Sequence, residues 1–192
     1  MVNPSPNFWR DKRVLLTGHT GFKGGWLAAW LHRLGATVCG YSLAPPTTPS
    51  LSELAQLEQR MCSVRGDIRD AGHLASAVQA FQPDVVFHLA AQSLVRLSYN
   101  SPLETLEANV TGTVNVLEAI RAAASVRVGI IVTSDKCYEN RGAPWSYREG
   151  EPLGGHDPYS ASKACAEILT SAWRRSYLSA EVGRAVGIAS AR

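Results

Sequence analysis

Three glycines at every third position, Gly18, Gly21 and Gly24, separate an apolar segment from an amphipathic one near the start of the chain. The apolar segment is typical of a buried strand and the amphipathic segment of a helix. A glycine-rich turn between them permits a tight bend, close approach of a phosphate to the backbone, and close packing of helix on strand. Free N–H groups and the helix dipole favour an anion there. The segment "TGHTGFKG" thus predicts a dinucleotide site, the alternative being a glycine-rich turn without ligand.

Along the rest of the chain, β-branched apolar segments alternate with segments of helical period. The predicted strands are 14–17, 37–41, 62–65, 85–89, 128–134 and 186–189. The predicted helices begin near Gly21, Leu51, Ala71, Pro102 and Asp157. This alternation predicts an α/β fold, a doubly wound Rossmann-type parallel sheet with helices on both faces, as one domain over residues 1–192. Such sheets bind ligands beyond the carboxyl ends of their strands.

Composition and charge indicate which partners, which cysteine chemistry and which cellular compartment to expect. The formal net charge is +3 and the basic residues are scattered, so neither nucleic acid nor a membrane surface is an expected partner. The 4 cysteines form no C-x-x-C pair, which favours reduced cytosolic thiols over a disulfide framework or a metal site. The start "MVNPSPNFWRDKR" lacks the apolar core of a signal peptide. We expect a cytoplasmic enzyme domain.

The segment "DPYSASKACAE" contains the strongest catalytic signal. Tyr159 and Lys163 are four residues apart, so on a helix both side chains lie on one face. A tyrosine acts as a base at neutral pH only when a nearby cation stabilises its phenolate, and Lys163 would supply that charge. The alternative is an exposed helix pair without function.

These motifs resemble the extended branch of the short-chain dehydrogenase/reductase superfamily, which handles nucleotide sugars. In that superfamily an acid such as Asp67 in "VRGDIRD" lies against the adenine, and "FHLAAQS" resembles the segment beside the dinucleotide. Taken alone, Asp67 is equally explained as a helix cap and "LAA" as core. The cofactor-binding residues that the resemblance implies are Gly18, Thr20, Gly21, Phe22, Lys23, Gly24, Ser42, Asp67, Ile68, Leu89, Ala90 and Ala91, with Tyr159 and Lys163.

The segment "VTSDKCYEN" makes the resemblance more specific. Ser134 ends a predicted strand, and Asp135 and Lys136 follow it where sugar-nucleotide 4,6-dehydratases carry an elimination acid and base. Lys136 replaces the glutamate of the dTDP-glucose dehydratases. With "FWRDKRVLLTGHTGFKGGWL", "HLAAQSLVRLSY" and "PYSASKACAE", the chain resembles the CDP-glucose 4,6-dehydratases from Phe8 to Arg192. Without function, Asp135 and Lys136 would be a surface ion pair.

The resemblance implies conversion of CDP-glucose to CDP-4-keto-6-deoxyglucose and water by internal hydride transfer through bound NAD. Tyr159 would take the proton of the sugar 4-hydroxyl while Ser134 orients the oxygen. Asp135 would protonate the departing 6-hydroxyl, which requires burial that keeps it protonated. Lys136 would remove the C5 proton if desolvated or near other cations, or would stay charged and stabilise the enolate.

The coenzyme and substrate contacts are less specific in the sequence. Ser42 stands where an acid would bind the adenosine 2′-hydroxyl, and no arginine stands beside it for a 2′-phosphate, so we expect NAD. Arg96 would contact the diphosphate, or is an ordinary surface arginine. Asn109 is either the helix-kinking asparagine of the superfamily or a polar residue inside a helix. The substrate-binding residues that we expect are Ser93, Arg96, Asn109 and Ser134.

Further expectations concern the extent of the chain and its assembly. We expect the chain to end at its sixth strand, whereas members of this family bind the nucleotide sugar with a region beyond that strand. A dinucleotide-binding module without turnover is therefore the alternative to an enzyme. A UDP-sugar epimerase is disfavoured by Asp135. The resemblance implies a homodimer through helices in 102–124 and 157–178, and a product used in bacterial surface polysaccharide. The segment "WSYREGEPLGG" (145–155) would cover the sugar as a lid, with Tyr147 and Arg148 reaching inward, or is mobile surface.

Overall fold

The computed structural model of the chain describes residues 6–142, 144–182 and 184–192. Its strands are β1 (Arg13–Thr17), β2 (Thr37–Ser42), β3 (Cys62–Arg65), β4 (Val85–His88), β5 (Val128–Val132) and β6 (Gly187–Ala191). Its helices are α1 (Pro6–Trp9), α2 (Phe22–Arg33), α3 (Leu51–Leu54), α4 (Ala71–Phe81), α5 (Val95–Asn100), α6 (Pro102–Leu106), α7 (Gly112–Ala122) and α8 (Pro158–Ser176). The parallel sheet has the order β3-β2-β1-β4-β5-β6, which reverses between β1 and β4. The predicted doubly wound α/β fold is confirmed, with its ligand crevice expected at this reversal.

The two faces of the sheet are covered by different helices. Val14 of β1 packs with Leu31 of α2, whereas its neighbour Leu15 packs with Leu74 of α4 on the other face. This alternation follows from the pleat of a strand, which sends successive side chains to opposite faces. α7 and α8 continue the layer of α4 over β4, β5 and β6. In the described ranges, none of the helices has the length and apolar character needed to cross a bilayer.

The layer on the α2 side is less complete over β5. Ile131, which packs with the α7 residues Leu117 and Ile120, is fully buried. Ile130 and Val132, which point to the other face, are only partly buried. The described helices therefore enclose both faces around β1 and β2, and leave one face of β5 partly open.

Several element boundaries differ from the prediction. β5 ends at Val132 instead of residue 134, because the next residues enter a 3-10 turn, Asp135–Cys137. The helix predicted near Pro102 is interrupted by a π-helical turn, Glu107–Thr111, between α6 and α7. The helix predicted near Leu51 is a single turn, and α1 and α5 were not predicted. The differences concentrate at the carboxyl edge of the sheet, where the side chains of the candidate site lie.

Candidate active site

The glycine turn between β1 and α2 is shaped partly by the packing of the protein itself. Gly18 has φ +80°, and a Cβ there would lie 2.8 Å from the backbone nitrogen of Ala90. A Cβ on Gly24 would overlap the carbonyl group of Gly18. A Cβ on Gly21, by contrast, would meet only the Gly18 carbonyl oxygen, at 3.4 Å, which is ordinary contact. The packing of the fold thus explains two of the three glycines and does not by itself require a glycine at position 21.

The start of α2 has the properties of an anion site. Gly21 is its N-cap and provides no side chain to accept from the first-turn N–H groups. Phe22 and Lys23 follow as the first residues of the helix, and both are exposed. First-turn N–H groups have no partner inside their own helix, and the helix dipole adds positive potential. A diphosphate fits this position by charge and by hydrogen-bond demand.

The residues expected on the adenosine side lie at the ends of β2 and β3. The hydroxyls of Thr20 and Ser42 are 2.6 Å apart, and this contact ties the glycine turn to β2. The carboxylate of Asp67 accepts from the backbone N–H and the Nε of Arg69, each at 2.9 Å. Hydrogen bonding to Arg69 lowers the pKa of Asp67 although partial burial opposes it. The following Ile68 is buried in the core, and its carbonyl oxygen accepts from Nδ2 of Asn115 at 2.9 Å.

A buried histidine in the glycine turn was not predicted as part of the site. The ring of His19 is fully buried, and its Nε2 lies 2.9 Å from the Ser63 hydroxyl. Gly40 leaves the space that the ring occupies, since a Cβ there would overlap it. Burial, and then the charge of Arg65, lower the pKa of His19 to about 4, so the ring is neutral at physiological pH. The sequence signal was a glycine in the middle of β2.

The end of β4 is held by a second neutral histidine. The Thr17 hydroxyl accepts from the backbone N–H groups of Leu89 and Ala90, each at 3.2 Å, and pairs with Nδ1 of His88 at 2.8 Å. Nε2 of His88 lies 3.1 Å from the Thr113 hydroxyl in α7. Burial, and then the charge of Lys163, lower the pKa of His88 to about 3. These contacts place the segment predicted to line the dinucleotide directly beside the glycine turn.

Asn109 clamps the chain after Ala91. Its Oδ1 accepts from the backbone N–H of Gln92 at 2.8 Å, and its Nδ2 donates to the Gln92 carbonyl oxygen and to the Ser162 hydroxyl, each at 2.9 Å. The side chain is buried within the π-helical turn. Because its polar atoms are engaged by the protein, the geometry favours a positioning role over the predicted direct contact with substrate. Ser93 and Arg96, the other expected substrate contacts, are both exposed just beyond this clamp.

The first turn of α8 is fixed by a cap. Asp157 accepts the backbone N–H of Ser160 at 2.9 Å and its hydroxyl at 2.6 Å. Pro158 occupies the first helical position, where its missing N–H costs nothing. The cap sets the helical register from its first residue, so Tyr159 is buried in the first turn and Lys163 one turn later.

Lys163 connects α8 to β5. Its Nζ donates a hydrogen bond to the carbonyl oxygen of Val132 at 3.3 Å, two residues before Ser134. Burial, and then repulsion by the charge of Lys23, lower the pKa of Lys163 to about 8. The ammonium group is therefore still mostly protonated at neutral pH. Lys163 and Lys23 together make this crevice positive, which suits an anionic ligand.

The turn after β5 contains the other predicted catalytic groups. The Ser134 hydroxyl donates to Oδ1 of Asp135 at 3.0 Å and accepts from the backbone N–H of Lys136 at 3.2 Å, so it caps the 3-10 turn. α8 packs against this turn. Asp135 and Lys136 are exposed, so the described chain by itself does not supply the burial that the acid role of Asp135 requires, nor a desolvated site for Lys136. Their side chains point away from the core because the 3-10 turn buries Cys137 instead.

A buried acid that the sequence analysis missed supports this edge. Glu167 lies one helical turn after Lys163 and accepts from Ser190 at 2.8 Å, from Arg192 at 2.9 Å and from the Thr133 hydroxyl. Burial alone would raise the pKa of Glu167, but hydrogen bonds from these partners outweigh it and leave the pKa below its ordinary value. Glu167 thus joins α8 to β5 and β6. The available sequence signal was an acid four residues after the lysine, on the same face of the helix.

A cavity and a loop lie on the other side of this acid. The cavity, of about 780 Å³, is lined by Glu167 and Arg192 but by none of the predicted catalytic residues. In the loop that we expected to be a lid, the ring of Tyr147 stacks on Tyr138 with centroids 4.7 Å apart, and Arg148 is exposed. The loop therefore packs beside the turn after β5, and its role as a lid stays a prediction.

A family comparison covers the whole of this site. The model of the GDP-mannose 4,6 dehydratase family matches residues 15–185, a range that includes the glycine turn, the turn after β5 and the Tyr159–Lys163 pair. The chain belongs to this family. Membership of the GDP-mannose 4,6 dehydratase family confirms the expected resemblance to nucleotide-sugar 4,6-dehydratases.

Individual relatives of this dehydratase-family chain agree. The CDP-glucose 4,6-dehydratase of Salmonella typhimurium is 52% identical over 188 residues, which are 97% of this chain and 52% of that protein. The epimerase Mth375 of Methanothermobacter thermautotrophicus has the same fold, with a TM-score of 0.80 at 24% identity, over 98% of this chain and 53% of that one. The UDP-glucose 4-epimerase of Thermus thermophilus, a complex with NAD, gives 0.77 at 26% identity, over 93% and 53%. The chain spans about half the length of the curated relatives it matches.

Proposed function

We propose that this protein is a nucleotide-sugar 4,6-dehydratase that converts CDP-glucose to CDP-4-keto-6-deoxyglucose and water with NAD as its bound coenzyme. One observation carries the proposal: Lys163, buried one turn after Tyr159, is hydrogen-bonded to the strand that leads to Ser134, Asp135 and Lys136. The name of the Salmonella typhimurium relative, 52% identical to this chain, supports CDP-glucose as the substrate.

The residues at the switch between β1 and β4 fit a dinucleotide. The N–H groups at the start of α2, at Phe22 and Lys23, would hold the diphosphate where Gly21 leaves room for it. Ser42 and Asp67 would lie along the adenosine, and the segment 89–91 beside the nicotinamide. The NAD in the Thermus thermophilus epimerase structure supports this choice of coenzyme. When bound, NAD would supply reversible hydride transfer to and from the sugar, so that the coenzyme is regenerated and the net reaction is loss of water.

Tyr159 is the base of the first step. Its phenolate accepts the proton of the sugar 4-hydroxyl, and the buried charge of Lys163 one turn away stabilises the phenolate. The Ser134 hydroxyl, whose one hydrogen goes to Oδ1 of Asp135 in the described chain, would turn to donate that hydrogen to the sugar oxygen and so orient it. The 4-ketone that results makes the hydrogen on C5 acidic.

Asp135 and Lys136 serve the elimination. Asp135 donates a proton to the departing 6-hydroxyl, which leaves as water, and Lys136 accepts the C5 proton. Both side chains are exposed in the described chain. A sugar nucleotide seated over this turn would exclude water from them, and this exclusion favours a protonated carboxyl and a neutral amine. Elimination is thus tied to substrate binding.

Assembly as a homodimer is part of the proposal. α6 lies against α8, and the two helices present large exposed apolar side chains, among them Leu103 on α6 and Ile168 on α8. A second copy that covered these side chains would bury apolar surface that the single chain leaves in water. The size of the particle in solution, measured by light scattering, checks this part independently of activity.

The first experiment is incubation of this chain with NAD and CDP-glucose, UDP-glucose or dTDP-glucose, followed by mass spectrometry, with NAD binding measured by calorimetry in the same preparation. Loss of one water from CDP-glucose alone is the expected result. NAD binding without product would instead favour a dinucleotide-binding module, an interpretation consistent with a chain about half as long as its relatives. Absence of NAD binding would contradict the proposed coenzyme site.

A further inference from the structure

Two thiols touch across the edge of the sheet. Cys39 of β2 and Cys62 of β3 are register partners in the parallel pair, and their sulfur atoms are 2.9 Å apart. Both cysteines are free. The other two cysteines lie elsewhere, Cys137 in the turn after β5 and Cys165 on α8. The two cysteines are 23 positions apart in the sequence, so C-x-x-C spacing does not predict this contact.

The backbone at this pair suits a covalent bond. Neighbouring strands lie about 4.8 Å apart, which is inside the Cα separation of about 4.4–6.8 Å that disulfides span. Register partners on adjacent strands point to the same face of the sheet, so the two Cβ atoms face one another. Strand pairing therefore brings the two Cβ atoms together, and the rotamers of the two side chains bring the sulfur atoms into contact.

The two thiols differ in access to solvent. Cys62 is exposed on β3, which is the last strand at its edge of the sheet. It borders a shallow surface depression together with His32 and Arg60. Cys39 is only 1% exposed, and burial, followed by its hydrogen bond with Cys62, raises the pKa of its thiol. A reagent in solution therefore meets Cys62 first, and Cys39 is positioned to react second.

We propose that Cys39 and Cys62 are a redox modification site, which a hydroperoxide converts to a disulfide between β2 and β3 and a dithiol reductant converts back to two thiols. The Cys62 thiolate attacks the peroxide, the O–O bond breaks, and Cys62 becomes a sulfenic acid while the remaining oxygen leaves as water or an alcohol. The Cys39 sulfur then attacks the Cys62 sulfur, the S–O bond breaks, and a second water leaves with the thiol proton. Two thiols lose two electrons in total, and the peroxide gains them.

The bond would act on the adenosine side of the proposed coenzyme site. The next register pair, Gly40 and Ser63, encloses the ring of His19 in the glycine turn. β2 and β3 then end at Ser42 and Arg65, just before Asp67. A disulfide fixes the edge strand to its neighbour one residue below this region. The proposal of a disulfide does not depend on the dehydratase activity, and its test needs neither NAD nor substrate.

The test uses peptide mapping of the whole chain. Trypsin places Cys39 in the peptide 34–60 and Cys62 in the peptide 61–65, so the disulfide joins two separate peptides. After mild hydrogen peroxide and alkylation of the remaining thiols, we expect the linked pair of peptides without reductant, and both peptides separately after dithiothreitol. Met61 shares a peptide with Cys62, so the linked pair is sought with and without one added oxygen.

Two variants make the result decisive. Cys62→Ser, at an exposed position, is expected to abolish the linkage, whereas the matched variant Cys165→Ser is expected to keep it. The proposal is overturned if peroxide converts Cys62 to sulfinic acid while Cys39 remains a free thiol, which the alkylating reagent reaches only after unfolding. It is equally overturned if Cys62 pairs with a cysteine of another molecule. Circular dichroism of each variant confirms that loss of linkage is not loss of fold.

Discussion

The ammonium group of Lys163 donates to the carbonyl oxygen of Val132 at 3.3 Å, so the second turn of α8 is joined to the strand that leads to Ser134. This contact keeps a cation inside the protein, 6% exposed, beside the residues proposed to move protons. A buried cation stabilises a neighbouring phenolate strongly because little water screens it. It also has an energetic cost to the fold, and that cost is measurable.

Replacing Lys163 by Met is expected to change how stability depends on pH. Burial, and then the charge of Lys23, lower the folded-state pKa of Lys163 to about 8 from 10.5. Between these values the unfolded chain holds more protons than the folded one, so the contribution of Lys163 to the free energy of unfolding rises with pH through this window and is lost as pH falls through about 8. Urea unfolding of wild type and Lys163→Met should diverge by up to about 1.4 kcal/mol per pH unit there. Parallel pH profiles would contradict the buried charge.

Substitutions in the glycine turn are expected to distinguish the glycine that ligand binding requires from the glycine that packing requires. Gly21→Ala is expected to preserve the thermal midpoint, since its Cβ would have only a 3.4 Å contact, but to weaken NAD binding about tenfold or more. Gly24→Ala is expected to lower the midpoint, because its Cβ would overlap the Gly18 carbonyl group. Calorimetry and thermal unfolding measure the two effects. Gly150→Ala, which meets no neighbour within 4 Å, is the matched control, and equal NAD affinity in Gly21→Ala would refute the diphosphate position.

Tyr159→Phe removes the proposed base while keeping the ring in its buried place. Turnover of CDP-glucose should fall between about a hundredfold and ten-thousandfold, the usual contribution of a positioned acid or base. NAD affinity should stay near the wild-type value, and calorimetry provides this control. Product formation at the wild-type rate, read by mass spectrometry, would exclude Tyr159 as the base.

Asp135→Asn should separate oxidation from loss of water. The amide cannot donate a proton to the departing 6-hydroxyl as a carboxyl group does, so dehydration slows while oxidation at C4 continues. Reduced nicotinamide would then accumulate and be visible by absorbance. Glu139→Gln, on the same segment but beyond the turn, is a matched control that should behave as wild type. Equal slowing of both steps by Asp135→Asn would count against its role as the elimination acid.

Local sequence patterns predicted most of the fold and the order of the site. The strand–glycine turn–helix unit around Gly21, the alternating strands, and the four-residue spacing of Tyr159 and Lys163 were all readable, because each depends on neighbours within one or two helical turns. The ends of the strands were predicted less accurately. Ser134 leaves β5 because its hydroxyl caps the next turn, and a cap of this kind competes with strand pairing.

The sequence did not predict which charged side chains are buried or which residues distant in the chain touch. Asp135 is exposed and Lys163 is buried, although each stands among both polar and apolar residues in the sequence. Asn109 closes on Gln92 and Ser162, and Cys39 meets Cys62, through contacts that span 17 to 53 positions. Which side chains meet at such separations depends on how strands pair and how helices pack over them, and a local pattern contains no record of that pairing. The sequence therefore specified the chemical groups and their order, and the packing of the sheet decided which of them are shielded from water and which touch.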